Sequence, residues 1–163
     1  MKDRKTQAAD LETAYRAAIR LLGRRAHSRR ELVDKLRRRE HSPESVAEVI
    51  RRCEAHRYLD DEAACEGYCR ELMRKGQGPR AIRQRLAGRG FDGDLIERTM
   101  DAQCSREAVM TSARSLSARK ARQLLQRHGD PRKVRPRLAR FLTQRGFPTE
   151  VVLKAIDEAL GAK

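Results

Sequence analysis

The feature that most constrains this chain is an internal repeat. Leu22, Leu72 and Leu124 correspond, as do Leu32, Ile82 and Val134, and then Leu36, Leu86 and Leu138. Downstream, Val46, Ile96 and Val152 correspond, followed by Ile50, Met100 and Ile156. The first two copies are related by one constant offset, and the third gains four residues after Leu138. Four residues are close to one helical turn of about 3.6 residues, so such an insertion lengthens a helix without turning its apolar face. Repeats of this length at fixed spacing read as stacked supersecondary units.

Each unit reads as three helices. Leu11, Tyr15, Ala18, Ile19 and Leu22 fall on one helical face. Ser28-Arg29-Arg30-Glu31 has the form of a capping box, in which the serine hydroxyl accepts an orphan N–H and Glu31 reaches back to the Ser28 N–H. Gly78-Pro79 and Asp130-Pro131 stand at the same place, where proline suits the first helical position. Ser42-Pro43-Glu44 starts a third helix carrying Val46, Val49, Ile50 and Cys53. Gly90-Phe91-Asp92 and Gly146-Phe147-Pro148 mark the corresponding joint later, with glycine suited to the left-handed turn that ends a helix. The expectation is all-α: three tandem three-helix repeats in an elongated, curved array. Residues 1–57 form the first repeat with a short N-terminal extension, 58–105 the second and 106–163 the third.

Composition supports thin helix–helix cores rather than one thick one, since 39% of the 163 residues are hydrophobic, 4% are aromatic and none is Trp. Charge bears on partners. Lys and Arg number 38 against 23 Asp and Glu, a net charge of +15. The excess lies at the ends: residues 1–60 hold 16 basic and 10 acidic side chains, 61–110 hold 9 of each, and 111–163 hold 13 and 4. So large an excess repels itself unless a polyanion partly neutralises it, and nucleic acid is favoured over a membrane surface. The start, Met1-Lys2-Asp3-Arg4-Lys5, leads into no apolar segment of a targeting signal, and no apolar run approaches the roughly 20 residues of a membrane span. A cytoplasmic monomer with no membrane association is expected.

Cys53, Cys65, Cys69 and Cys104 read as reduced thiols filling small apolar gaps. The set Cys53, His56, Cys65 and Cys69 offers four zinc ligands, but at a spacing that fits no common finger. Cys69 falls in the slot of Ile19 and Ala121, a packing position; Cys65 aligns with Tyr15 and Ser117. Neither cofactor nor metal is expected. No phosphate loop, nucleophile elbow or H-E-x-x-H motif is present, and His27, His41, His56 and His128 lie near helix ends as solvated or capping residues. No catalytic residue is assigned, and the chain reads as a binding protein rather than an enzyme.

Basic residues recur on the second helices: Arg30, Arg80 and Arg132, then Lys35, Arg85 and Arg137. Arg29, Arg37, Arg38, Arg39, Arg83, Lys133, Arg135, Arg140 and Arg145 add to them. Of these, Arg29, Arg30, Lys35, Arg80, Arg83, Arg85, Arg132, Arg135 and Arg137 form the candidate contact surface. Arginine suits phosphate and carboxylate through its bidentate fork, and scarce aromatics argue against base stacking.

Tyr58-Leu59-Asp60-Asp61, then Arg70, Gly78-Pro79-Arg80-x-Ile82-x-x-x-Leu86 and Gly90-Phe91, resemble the central signature of the RecX regulatory proteins. Ala26-His27-Ser28-Arg29-Arg30-Glu31-Leu32-x-x-Lys35-Leu36 resembles that family's first repeat. The departure is at Ala64-Cys65, where the family usually carries Phe-Ala. Asp60 suits an N-cap, and Asp61 and Glu62 complement a helix dipole. The resemblance implies a regulator that binds the RecA recombinase filament, and single-stranded DNA directly or through it. Such a regulator inhibits ATP hydrolysis and strand exchange and so modulates recombination and DNA repair. A curved helical array suits the groove of a helical filament. The alternative from charge alone is a general helical nucleic-acid-binding protein with no recombinase partner.

Overall fold

The computed structural model describes residues 2–161, apart from the side chains of residues 2–6 and of His128. Met1 and the side chains of the polar start, and that of His128, therefore lie outside the described residues.

Among the described residues there are nine helices and no strand: α1 (Lys2–Leu22), α2 (Arg29–Arg37), α3 (Pro43–Ala55), α4 (Asp61–Arg74), α5 (Pro79–Gly88), α6 (Gly93–Gln103), α7 (Arg106–His128), α8 (Pro131–Gln144) and α9 (Thr149–Leu160). Local chemistry sets their starts. The Ser28 hydroxyl accepts the Glu31 N–H, the Ser42 hydroxyl accepts that of Ser45, and Asp130 accepts that of Arg132. Asp60 does the same for Ala63 at 2.9 Å. Pro43, Pro79 and Pro131 each open a helix, where a missing N–H costs nothing. Only half of the expected capping box forms at α2, because Arg25 and Lys35 take the Glu31 carboxylate.

The chain forms two compact units. One comprises Met1–Glu66 with Ala87–Leu95; the other comprises Gly67–Leu86 with Ile96–Lys163. The core of the first is built by α1, α2 and α3 around Leu32, Leu36, Val49, Ile50 and Cys53. The core of the second is built by α7, α8 and α9 around Val134, Leu138, Leu142, Phe147 and Ile156. Each fully buried leucine or isoleucine contributes about 1.5–3 kcal/mol.

The expected second- and third-helix positions are buried in all three repeats: Leu32, Ile82 and Val134; Leu36, Leu86 and Leu138; Val46, Ile96 and Val152; Ile50, Met100 and Ile156. The insertion after Leu138 makes α8 14 residues long against 10 in α5. Its added turn places Leu142, fully buried, below Val134 and Leu138.

The first helix departs from expectation. Ile19 is 37% exposed and Leu22 half-buried, whereas Ala14, Ala18 and Leu21 face the core. Buried positions match between copies as Ala14, Cys65 and Ser117, then Ala18, Cys69 and Ala121, then Leu21, Leu72 and Leu124. The first repeat thus holds one residue more between its first and second helices, and the buried stripe of α1 is displaced by one position. Cys69 does occupy a packing slot, but its counterpart is Ala18 rather than Ile19. Small side chains in these slots let helix axes approach at the close end of the usual range.

A joint recurs within each unit. The Ser28 hydroxyl donates to the Arg89 carbonyl in the first, and the Gly78 N–H donates to the Arg145 carbonyl at 2.6 Å in the second. Gly90 and Gly146 have φ of +79° and +85°, and a Cβ on either would collide, with the Arg30 side chain or with the Ala81 backbone. At the equivalent place the first repeat has Glu40, with φ of 63° and an exposed side chain.

Candidate basic binding surfaces

In the first unit, Arg29 and Arg30 open α2, at the positive end of its dipole. Asp61 relieves that arrangement by accepting the Arg29 backbone N–H at 2.6 Å, while Glu54 pairs with the Arg29 guanidinium at 3.0 Å. Burial pushes the Asp61 carboxyl up, against the Arg29 hydrogen bond. Asp61 therefore serves two helices: it sits in the first turn of α4 and caps α2.

Lys35 is half-buried. Its Nζ lies 3.1 Å from Glu31 and 3.0 Å from the Nε2 of His27. His27 is 2% exposed rather than solvated, and its Nδ1 lies 2.9 Å from the Arg25 carbonyl. Neutral imidazole satisfies both contacts, donating from Nδ1 and accepting at Nε2. Burial pushes the His27 pKa down, and the Arg25 and Lys35 cations push the same way. Burial raises the Glu31 pKa, but hydrogen bonds from Arg25 and Lys35 outweigh it and hold the carboxyl at about 2. His41 is also engaged, with its Nδ1 2.7 Å from Asp10. His56 ends α3 and is exposed, as expected.

Arg30 and Lys35 of α2, with Arg38 at its C-cap, line a cleft of about 330 Å³ with Glu31, Asp34 and the Ala87–Gly90 segment, including Arg89. Arg30 and Arg38 are exposed. Such a cleft can take an anionic group of phosphate or carboxylate type through the arginine forks.

The signature residues divide by role. Leu59 is buried, Asp60 caps α4 and Asp61 joins two helix starts. Tyr58 faces outward, 54% exposed, with its ring 5.7 Å from that of His56. The backbone aims it there: Arg57 is left-handed at φ 56°, and the Tyr58 and Leu59 N–H groups both donate to the Cys53 carbonyl. Tyr58, Tyr15, Ile19, Leu22 and Gly23 line an open, largely apolar depression of about 520 Å³. Sequence periodicity assigned Tyr15, Ile19 and Leu22 to the core stripe; the one-residue displacement of that stripe exposes Ile19 and leaves Tyr15 and Leu22 partly buried at the core's edge.

In the second unit, Arg80, Arg83 and Arg85 of α5 are exposed. Arg83 is engaged by both oxygens of Glu97, at 2.9 and 3.1 Å. The Arg80 backbone N–H donates to the Gly146 carbonyl while its side chain points to solvent. On α8, Arg132, Arg135 and Arg137 are exposed, and Arg135 pairs with Asp157 at 2.6 Å. Arg137 and Arg140 border a shallow depression of about 350 Å³ with Pro136, Phe141 and Gln144. The Phe141 ring carries Lys120 at 5.6 Å and Arg145 at 4.8 Å. Arg145 also donates to the Lys75 and Gly76 carbonyls, so it holds the fold together more than it presents charge. Gly78 and Pro79 are structural: a Cβ on Gly78 would meet the Gly146–Phe147 backbone at 2.5 Å.

Of the nine candidate cations, Arg29, Lys35, Arg83 and Arg135 are thus engaged by acidic partners. The zinc spacing does not assemble: among the described residues no group of three or more His, Cys, Asp or Glu stands together as a metal site. Nor is any helix among them long and apolar enough to cross a membrane.

Family models for the three RecX three-helix domains match residues 14–53, 60–100 and 109–156 in order. The chain belongs to the RecX family. It is 36% identical to the regulatory protein RecX of Deinococcus radiodurans over 94% of this chain and 72% of the relative. The RecX of Halorhodospira halophila is 37% identical, over 91% and 89% of the two chains. That of Legionella pneumophila is 32% identical, over 89% and 93%. The crystal structure of RecX from Lactobacillus salivarius superposes with a TM-score of 0.79 at 23% identity, covering 93% of this chain and 97% of that one. The three sequence relatives, from Deinococcus, Halorhodospira and Legionella, are named as regulatory proteins.

Proposed function

We propose that this RecX-family chain acts as a monomer on the RecA recombinase filament, restraining ATP hydrolysis and strand exchange and thereby modulating recombination and DNA repair. The observation that carries the reading is membership of the RecX family across all three of its domains. The chain works by binding rather than by catalysis. Arg30, Arg80, Arg85, Arg132 and Arg137, with Arg29, Lys35, Arg83 and Arg135 beside them, meet phosphates of the filament's single-stranded DNA or acidic protein surface. The apolar depression around Tyr58 supports a protein partner, since buried tyrosine and apolar contacts drive protein association whereas phosphate makes no use of them.

The test is ATP hydrolysis by RecA on single-stranded DNA with this protein titrated in, beside its DNA binding without RecA at the same salt. Inhibition is expected at concentrations too low to coat the DNA. Inhibition only once the DNA is saturated, or none, supports the second reading that the +15 charge favours: a general helical nucleic-acid-binding protein. A DNA-free interaction assay with RecA separates the two directly.

A further inference from the structure

Four sulfur atoms converge in the second unit. Cys104 Sγ lies 4.0 Å from Cys69 Sγ, 3.8 Å from Met73 Sδ and 3.7 Å from Met100 Sδ. The sequence supplies them in mirrored pairs: Cys69-x-x-x-Met73 on α4, and Met100-x-x-x-Cys104 from α6 into the residue following it. Residues four apart share a helix face, so each stretch presents one thiol and one thioether together.

We propose that Cys69, Met73, Met100 and Cys104 form a binding site for a soft monovalent metal ion, Cu(I). Metal–sulfur bonds of about 2.3 Å place the ligands of a tetrahedron about 3.8 Å apart, which is the spacing of the three contacts at Cys104. Two thioethers in the set select against zinc, whose protein ligands are thiolate, imidazole and carboxylate, and favour Cu(I), which accepts thiolate and thioether alike. Carboxylate and imidazole are missing from the cluster, so it offers little to harder ions.

Access and charge fit as well. Cys69 is fully buried, but Cys104 is only partly so and lines a narrow cleft of about 80 Å³ with Met73, Ile82, Val109 and Phe147. The Arg83 guanidinium lies within electrostatic reach of the Cys104 sulfur. Binding releases two thiol protons to solvent and leaves the metal in its +1 state. The site then carries one net negative charge, with Arg83 nearby to balance it. No oxidation or reduction takes place. Because the folded chain alone presents all four sulfurs, the ion ties α4 to the end of α6 and raises unfolding resistance by mass action.

The experiment uses the full reduced chain without oxygen, titrated with Cu(I) alone against a coloured Cu(I) chelator and, separately, with Zn(II) alone. One Cu(I) per chain is expected, held more tightly than zinc, with X-ray absorption showing a sulfur-only shell. Cys104→Ser lowers Cu(I) affinity by more than about 100-fold, and Met73→Leu with Met100→Leu by about 10-fold. Cys53→Ser, in the core of the other unit, leaves it unchanged. Helix content by circular dichroism reports whether each variant folds, and the methionine pair, close in volume to leucine, keeps the test open if Cys104→Ser does not. Failure to take Cu(I) from the chelator, tighter zinc binding, or affinity indifferent to the methionine pair overturns the proposal.

Discussion

At the scale of single residues, four positions show how local surroundings decide a preference. Gly146 is constrained twice, by φ of +85° and by the Ala81 backbone nitrogen, which would stand 2.4 Å from any Cβ. Glu40, at the equivalent joint, bears only the first constraint. Gly146→Ala is therefore expected to cost about 3 kcal/mol, whereas Glu40→Gly gains about 0.5–1 kcal/mol, both read from urea unfolding midpoints. Ser117 fills the small slot held elsewhere by Ala14 and Cys65, yet its buried hydroxyl has no hydrogen-bond partner. Ser117→Ala should stabilise the chain by about 1 kcal/mol in the same measurement. His27 gives a pH dependence. Its folded pKa lies below the ordinary 6.5 because the ring is buried. The unfolded chain therefore takes up the proton first as pH falls. The stability contribution is complete above about pH 6.5 and is lost as pH falls below it toward the folded value, with a slope of at most about 1.4 kcal/mol per pH unit. His27→Gln is expected to flatten stability against pH between about 7 and 5, with circular dichroism as the readout.

At the scale of elements, caps and prolines were legible because they act within four residues of where they stand. Ser28, Ser42, Asp60 and Asp130 each cap the helix that follows, and Pro43, Pro79 and Pro131 each open one. The rotation of α1 was not legible. Leu11, Tyr15, Ala18, Ile19 and Leu22 form a valid helical stripe, and only packing against α2 and α3 keeps Ala18 in the core while burying Ala14 and Leu21 and exposing Ile19. Two truncations check this register by chemical denaturation. Leu21→Ala should cost about 2–3 kcal/mol and Ile19→Ala less than about 1 kcal/mol, the reverse of what the repeat alignment implies. The same rotation exposes Ile19 beside Tyr15 and Tyr58, turning part of an apparent core stripe into a surface depression.

At the scale of the whole molecule, the net charge of +15 sets how the chain meets a polyanion. Arg30, Arg80 and Arg132 recur, are exposed, and support no helix cap through their side chains. Replacing all three with alanine should reduce the salt dependence of single-stranded DNA binding, a log–log slope smaller in magnitude by about 2, in fluorescence anisotropy at several salt concentrations. Helix content should be unchanged. By itself the sequence determined the all-α class, the threefold repeat, the helix starts marked by a cap or a proline, and the recurrent buried positions of the second and third helices. Periodicity and capping are local, so they are written in consecutive residues. The tertiary structure alone decided which face α1 buries, that His27 is enclosed, and that Arg29, Arg83 and Arg135 are held by Glu54, Glu97 and Asp157. It also decided that two distant Cys–Met pairs meet at Cys104. The three ion pairs and the sulfur cluster join residues 14 to 35 positions apart in the chain, a separation that no local pattern encodes.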